Sequence, residues 1–367
     1  MSTRTLTLRE INRTTLARQH LLTRLDQPVP ALIEHLGGLQ AQLPGAPYVG
    51  LWTRLPHFQR ADLAHRIETR EIVKAAFVRV TLHLVTAADY LRFRATLQPV
   101  MAAGQADIVQ RRGGTFDRTT VLEAARAFIV AQPRSFAEIS AMLTEHLPDQ
   151  DVGAMRHTVR TDLPLVQVPT SAPWSFPGNP QFTLAESWLG QSIDPADHLP
   201  DLLRRYLAAF GPATITDMQT WSGFSKLKEV VESLRPHLQT YRDEQRRELF
   251  DLPDLPILPE DTPAPVRLLP EFDNLLLAYT KRTRVVADAH RPRVYLPALR
   301  VAATFLVDGF VAGVWKVEKT RAAARLTLSP FAPLAPSDRA ALLEEAESLV
   351  RFVEPTAAAH EVHWEAI

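Results

Sequence analysis

Three helices followed by two short strands occur twice in this chain, and a unit of that order leaves few folds open. Across residues 119–183 the apolar spacing predicts helices at 121–131, 135–143 and 151–162, then strands at 165–168 and 181–184 around a turn-rich stretch at 169–180. The order recurs further on, with helices at 202–210, 214–223 and 225–234 and strands at 238–241 and 248–251. Ser135 and Thr214 each precede a helix with an acid three residues on, Glu138 and Asp217. The first spacing is that of a capping box and the second a looser version of it. Three helices with a two-stranded wing form a winged-helix unit. Such a unit places one helix in the major groove and touches the backbone or minor groove with its wing, although it also serves as a protein–protein module.

The flanking segments complete an α+β chain. Helices at 6–19, 28–36 and 61–69, a long strand at 73–85 and a helix at 87–97 fit the same template less cleanly, as a third winged-helix unit. From residue 266 the pattern turns to β, with strands at 266–269, 275–279, 284–287, 293–296, 303–307, 310–316 and 324–328 broken by turns such as Asp308-Gly309. That spacing suggests a small closed barrel or a curled sheet, finished by an acidic amphipathic helix at 337–352. Four segments result: winged helices over 1–115, 116–197 and 198–265, and a β-barrel with its helix over 266–367.

With 46% hydrophobic and 22% charged residues the chain reads as a globular protein with real cores. It holds no cysteine, so neither a disulfide framework nor a thiolate nucleophile is available, as suits a reducing cytoplasm. No long apolar block suggests a signal peptide or a membrane span. The net charge is zero, but its distribution is uneven. Residues 1–160 hold 20 Lys/Arg against 14 Asp/Glu, residues 161–265 hold 8 against 15, residues 266–325 hold 11 against 5, and the last 42 hold 2 against 7. Two basic regions flank an acidic one, and the local field, not the sum, governs phosphate binding.

Reaction chemistry has one obvious place to reside, Gly37-Gly38-Leu39-Gln40-Ala41-Gln42. Two glycines lower helix propensity by about 1 kcal/mol each relative to alanine, so the helix before them ends and residues 39–43 run extended. Period two then puts Gln40 and Gln42 on one face and Leu39, Ala41 and Leu43 on the other. Each amide offers an acceptor and a donor. Such a pair can hold a water or a ligand edge, or it can simply be solvated beside a helix end. Arg79, Thr81 and His83 alternate with Val80, Leu82 and Leu84, which gives the strand at 73–85 a polar face. That face is either one wet side of a strand or the flank of a cleft shared with the glutamines, Arg79 holding a phosphate and His83 donating to DNA or water.

Lys281-Arg282-Thr283-Arg284 stands at one predicted hairpin tip and His290-Arg291-Pro292-Arg293 at another turn. Both read as phosphate probes or as solvated turns. Asp273 reads as a capping or turn residue in preference to a catalytic one. The chain lacks a Walker loop, a Gly-rich dinucleotide fingerprint, an HExxH helix and a Gly-x-Ser-x-Gly elbow, and its histidines are too scattered to suggest a metal or cofactor site.

Five segments, in order, resemble the AlkZ/YcaQ family of bacterial DNA glycosylases: Gln40-Ala-Gln42, Arg79-Val-Thr-Leu-His-Leu-Val85, the stretch from Thr214 to Trp221-Ser-Gly-Phe224, Leu268-Leu-Pro-Glu-Phe-Asp-Asn-Leu-Leu-Leu-Ala-Tyr279, and Val307-Asp-Gly-Phe-Val-Ala-Gly-Val-Trp315. The likeness spans nearly the whole chain. It implies three tandem winged-helix units and a C-terminal β-barrel arranged as a C-shaped clamp. The family's catalytic signature is glutamine, an apolar residue, then glutamine or aspartate. Gln40 and Gln42 match its two-glutamine branch, which resembles enzymes that protect antibiotic producers from their own DNA-alkylating products. The resemblance implies catalytic Gln40 and Gln42 and no cofactor. Arg79, Thr81 and His83 would flank the lesion, and Lys281, Arg282 and Arg284 would grip DNA. The expected partner is double-stranded DNA with an alkylated or crosslinked guanine, met by a cytoplasmic monomer with no obligate protein partner.

The chemistry is consistent with those residue types. An amide cannot take up a proton near neutral pH, so two glutamines are poor catalysts for an intact base. An N7-alkylated guanine already carries positive charge and departs without protonation. What remains is to place water at C1′, which oriented carbonyls can do. A crosslinked base cannot be flipped freely into a closed pocket, which favours an open site. No lysine nucleophile is evident near the motif, so a Schiff-base lyase is not expected. Two other classes compete: a non-enzymatic winged-helix DNA-binding protein or regulator, and a resistance protein that sequesters the alkylator.

Overall fold

The computed structural model describes residues 4–112 and 115–366. The first segment runs β1 (Thr5–Leu6), α1 (Leu8–Arg18), α2 (Val29–His35), β2 (Leu39–Gln40), α3 (Ala46–Trp52), α4 (Arg60–Glu68), β3 (Ile72–Ala76), β4 (Leu82–Thr86) and α5 (Ala87–Arg111). Thr7 starts α1 with a complete capping box, its hydroxyl accepting from the Glu10 amide while the Glu10 carboxylate takes the Thr7 amide. The strand expected at 73–85 is instead a hairpin. Phe77 to Thr81 form a tight turn in which Arg79 and Val80 take φ of 56° and 58°. Arg79 therefore sits at the turn, off the strand that carries His83.

The second segment follows its expected order closely: α6 (Arg118–Ala131), β5 (Arg134–Ser135), α7 (Phe136–His146), α8 (Val152–Asp162), β6 (Leu165–Gln167), β7 (Gln181–Leu184) and α9 (Ala185–Leu189). Ser135 and Glu138 form the full capping box of α7. The helices close on a core of their own through Val121, Ile129, Ile139, Leu143, Met155 and Val159. The third segment runs α10 (Leu199–Phe210), α11 (Ile215–Ser222), α12 (Lys228–Leu234), β8 (Gln239–Asp243) and β9 (Glu248–Asp251). Here too the Thr214–Asp217 box is complete. No helix among the described residues is long and apolar enough to cross a membrane.

The sheets do not respect the segment boundaries. One six-stranded sheet, in the order β2-β4-β3-β6-β7-β5, passes from the first segment into the second where Ala75 pairs with Val166. The N-terminal β1 lies parallel to β8, Thr5 against Arg242 and Leu6 against Asp243. A single apolar core gathers Leu16, Phe77, Val166, Tyr206, Trp221, Tyr279 and Val311 from all four segments.

The last segment corrects the expected barrel. It contains β10 (Arg267–Leu269), α13 (Asn274–Leu277), α14 (Arg291–Val294), β11 (Tyr295–Leu296), β12 (Arg300–Val301), β13 (Thr304–Val307), β14 (Phe310–Lys319), β15 (Ala324–Pro330), α15 (Pro336–Val353) and β16 (His360–Trp364). The sheet is open, ordered β10-β13-β14-β15-β16, with β10 and β16 as its edges. The ranges 275–279, 284–287 and 293–296, which would have supplied further staves, hold instead the short helices at 274–277, 282–284 and 291–294, irregular turns, and the two-residue strand β11, which pairs only with β12. In place of closure, Leu342, Ala346, Leu349 and Val350 of α15 cover the sheet residues Leu268, Phe305, Leu326 and Leu328. The chain then returns through β16, parallel to β15.

Candidate active site

The double glycine ends α2 in a Schellman motif. Gly38 N–H donates to Ile33 O at 2.9 Å and Gly37 N–H to Glu34 O at 3.0 Å, with φ of 65° at Gly37 and 90° at Gly38. Space requires glycine as much as conformation does. A Cβ on Gly37 would lie 2.7 Å from Trp221 Cζ2, and one on Gly38 would lie 2.7 Å from Val85 Cγ1. Gly37→Ala is therefore expected to lower stability by more than the roughly 1–2 kcal/mol of a left-handed backbone alone, read as a lower urea midpoint. An unchanged midpoint would refute the packing of α2 on Trp221.

This cap delivers the chain into β2, where Gln40 lies opposite His83 and Leu39 opposite Leu84. Gln40 is buried and Gln42 exposed. The paired extension stops at Gln40 and the backbone bends at Gln42 and Leu43 before α3, so the two amides occupy different environments. Arg79 fixes the inner one, donating from Nη2 to Gln40 Oε1 at 2.8 Å and from Nη1 to Trp221 O at 2.8 Å. The second bond falls on the C-terminal end of α11, where the helix dipole favours a cation. Gln42 Oε1 accepts only a long bond from Leu82 N–H, 3.4 Å.

From the far end of the chain, the loop after β10 locks the motif. Asn274 donates through Nδ2 to Leu36 O and Gly38 O, and its Oδ1 accepts from Gln40 N–H at 3.4 Å. The neighbouring Asp273 caps α13, accepting from Leu275 N–H at 3.0 Å, and forms a two-point ion pair with Arg54 at 2.9 Å for each bond. Both partners are buried, and Arg54 also donates to Gly50 O and Gln19 O. Asp273 thus has the capping role expected of it. Asn274, Trp221 and Arg54 were not singled out individually, yet Asn274 and Trp221 lie in the segments that carry the family resemblance, and those segments converge on Gln40.

Burial drives His83 down to about 3, helped by the charge of Arg79, so its imidazole is neutral. Its Nδ1 bonds to Thr81 O at 2.9 Å, which assigns the proton to Nδ1. His20, also pressed down by burial, titrates at about 4. For both, the folded pKa lies below the unfolded value of about 6.5. Their stabilisation is therefore complete above that pH and is lost as pH falls from there towards about 3 and 4. Each should tilt stability by about 1.4 kcal/mol per pH unit across its window. Unfolding of His83→Gln between pH 7 and pH 5 should show a shallower fall than the parent, and an identical slope would sink this assignment.

Arg79 is likewise lowered, to about 10, by burial first and by Arg282 second, and it stays charged. Arg282 stacks 3.8 Å over the Tyr295 ring. Thr81 is half-buried and bonds to Val78 O, while Lys281 is exposed. Arg284 departs from expectation. It is not at a hairpin tip but buried, donating to Pro212 O at 3.0 Å and stacked 3.8 Å from the Tyr279 ring, with Asp217 Oδ2 3.8 Å away. Its guanidinium is thus held by core contacts, unlike the exposed Lys281. Beyond Gln42, a cleft of about 250 Å³ is lined by Leu43, Trp174, Glu271, Trp315 and Lys316, and burial raises the Glu271 carboxyl.

Lys74 of β3 shows how the sheet separates functions. It pairs with Leu84, so its side chain shares the face of Leu39 and Leu84, lying 4.9 Å from the Phe176 ring. Gln40 lies opposite His83 and so belongs to the other face. Burial lowers Lys74 to about 8, but the sheet stands between it and Gln40.

Comparison with known proteins agrees with this architecture. A curated relative, the interstrand DNA cross-link repair glycosylase of Streptomyces sahachiroi, is 25% identical over 346 residues, which cover 86% of this chain and 88% of the relative. The solved structure of Streptomyces sahachiroi DNA glycosylase AlkZ superposes with a TM-score of 0.79 at 21% identity, covering 98% of this chain and all of that one. The family described as DNA glycosylase AlkZ-like matches residues 33–352, a span that contains Gln40, Arg79, Trp221 and Asn274. The chain therefore belongs to the AlkZ-like family of DNA glycosylases, enzymes that act on N-glycosyl bonds.

Proposed function

We propose that this protein is a monofunctional glycosylase that hydrolyses the N-glycosidic bond of N7-alkylguanine in duplex DNA, including guanine held in interstrand crosslinks. In this reading it serves self-protection against a DNA-alkylating natural product. The observation that carries the reading is the fixed amide of Gln40. Arg79 uses one lone pair of Oε1 and holds the group still, which leaves the second lone pair to accept from a water. The polar side chains that bond to Gln40 are Arg79 and Asn274, and neither is a base. A site built this way can orient water but cannot protonate a leaving group, so it suits a base that is already cationic. Gln42, exposed beside the cleft, would complete the grip on that water from the solvent side.

The basic groups fit a DNA partner. Arg282 lies close enough to Arg79 to lower its affinity for a proton, and the two cations are a pair suited to phosphates flanking the lesion. Thr81 and Lys281 would contact the same backbone, and His83, neutral and buried, supports the strand that carries Gln40. The three helix-and-wing segments would act as tandem winged helices around the duplex, over 1–115, 116–197 and 198–265, with 266–367 closing a C-shaped clamp. Lys74 lies across the sheet from Gln40, which supports hydrolysis without a Schiff base.

Base release from a duplex with a single N7-methylguanine, and from one with an N7-guanine interstrand crosslink, tests the reading after alkali treatment of the abasic sites. Alkali-dependent strand cleavage is expected on both. Its absence on both would overturn the reading in favour of a DNA-binding regulator.

A further inference from the structure

α8 turns Ala154, Met155, Thr158 and Val159 inward, and all four are buried. Its other side carries Arg156 and Arg160, one helical turn apart and both exposed. Arg160 feels Arg156 as a charged neighbour, and no carboxylate is paired with either among the described residues. Together with His157 they line a cavity of about 370 Å³ whose opposite wall is Ile108 and Arg112, at the end of α5. Arg112 is anchored by Asp151 at 2.7 Å and lies across Gly153, where a Cβ would come 2.3 Å from its Nη2. His157 Nε2 has no hydrogen-bond partner although it is shut off from solvent, so the cavity wall contains a polar group that the protein leaves unsatisfied.

The place of this cavity along α5 connects it to Gln40. Gly104, Ile108 and Arg112 recur every four residues and form one stripe of the helix surface. Gly104 faces the Arg79 turn, for a Cβ there would stand 3.7 Å from Val80 Cγ2. Eight residues of helix separate Gly104 from Arg112, a distance of about 12 Å. DNA rises about 3.4 Å per base pair along its axis, so a duplex lying along α5 would carry the two points roughly three to four base pairs apart.

We infer that this cavity seats a backbone phosphate of the substrate duplex, three to four nucleotides from the lesion, with Arg156 and Arg160 as its two forks and Arg112 as the fixed wall. Planar guanidiniums with no protein acid to satisfy them match a phosphodiester in charge and geometry. A phosphate held there carries no sequence information. It sets the register of the duplex against Gln40. The inference rests on DNA as the substrate but not on the excision chemistry.

The test measures binding of a short undamaged duplex to the full chain by fluorescence anisotropy over a range of salt. Arg156→Gln/Arg160→Gln is compared with the parent and with Arg351→Gln, which removes an exposed cation from α15. The double variant should bind more weakly, and its plot of log affinity against log salt should be shallower by about one unit, near 0.9 for the one lost phosphate contact. Arg351→Gln should keep the parent slope. A double variant with the parent slope overturns the inference and leaves the glycosylase reading intact. Inorganic phosphate supplies the second arm: if it raises the melting temperature of the parent but not of the double variant while the duplex slopes coincide, the cavity is a small-anion site and the inference also fails. A parent chain that binds no duplex overturns both readings.

Discussion

Replacing Gln40 and Gln42 together by alanine is expected to slow release of N7-methylguanine at least about tenfold, a barrier increase of roughly 1.4 kcal/mol. The two positions should not contribute equally. Gln40→Ala removes the buried carbonyl and leaves the Arg79 fork without its acceptor, so the variant loses both the water contact and the group that Arg79 orients. Gln42 is exposed and held only by a long bond, so its removal should cost less. Single-turnover rates at saturating protein separate these effects from DNA affinity, and circular dichroism confirms that the variants fold. A double variant that excises within twofold of the parent would remove the glutamines from the mechanism. Equal losses from the two single variants would contradict the division of roles.

Asp273→Asn is expected to be the most damaging single substitution for stability. Arg54 and Asp273 are buried at 0% and 2% side-chain exposure and meet through two bonds of 2.9 Å. Neutralising the carboxylate strands a guanidinium in the core, which typically costs about 3–5 kcal/mol. The loss should show as a large drop in urea midpoint. Excision should also fall, because Asn274 beside it fastens Gln40 N–H and the carbonyls of Leu36 and Gly38. Combining Asp273→Leu with Arg54→Met should recover much of the stability, since a buried pair replaced by apolar groups is often neutral. Additive losses in that double variant would mean that the pair is not the source of the effect.

The helices of the second and third segments were legible because local signals and tertiary demands agree there. Ser135 with Glu138 and Thr214 with Asp217 cap helices whose apolar stripes also build the core. Legibility failed where a short apolar run had no period of its own. Leu275, Leu276 and Leu277 suit a strand or a helix equally, and Asp273 capping from the N-terminal side, together with its pairing to Arg54, makes them helical. The alternation from Arg79 to Val85 imitates one strand, but the backbone reverses at Arg79 and Val80 with positive φ, where the turn packs against Gly223 and Gly104.

From the sequence alone followed the glutamine pair, the double-glycine helix stop before it, the repeated helix-and-strand units and the uneven charge. Each rests on interactions within a few residues: a cap, a period, a backbone conformation that only glycine takes easily. Tertiary structure alone decided that Gln40 is buried and held by Arg79 while Gln42 is exposed, that Arg284 is buried against Pro212 and Tyr279, and that the C-terminal sheet stays open under a helix. Those outcomes depend on partners distant in the chain, Trp221 for Arg79, Pro212 for Arg284 and Asn274 for Gln40, and on the desolvation that comes only when such partners close around a charge.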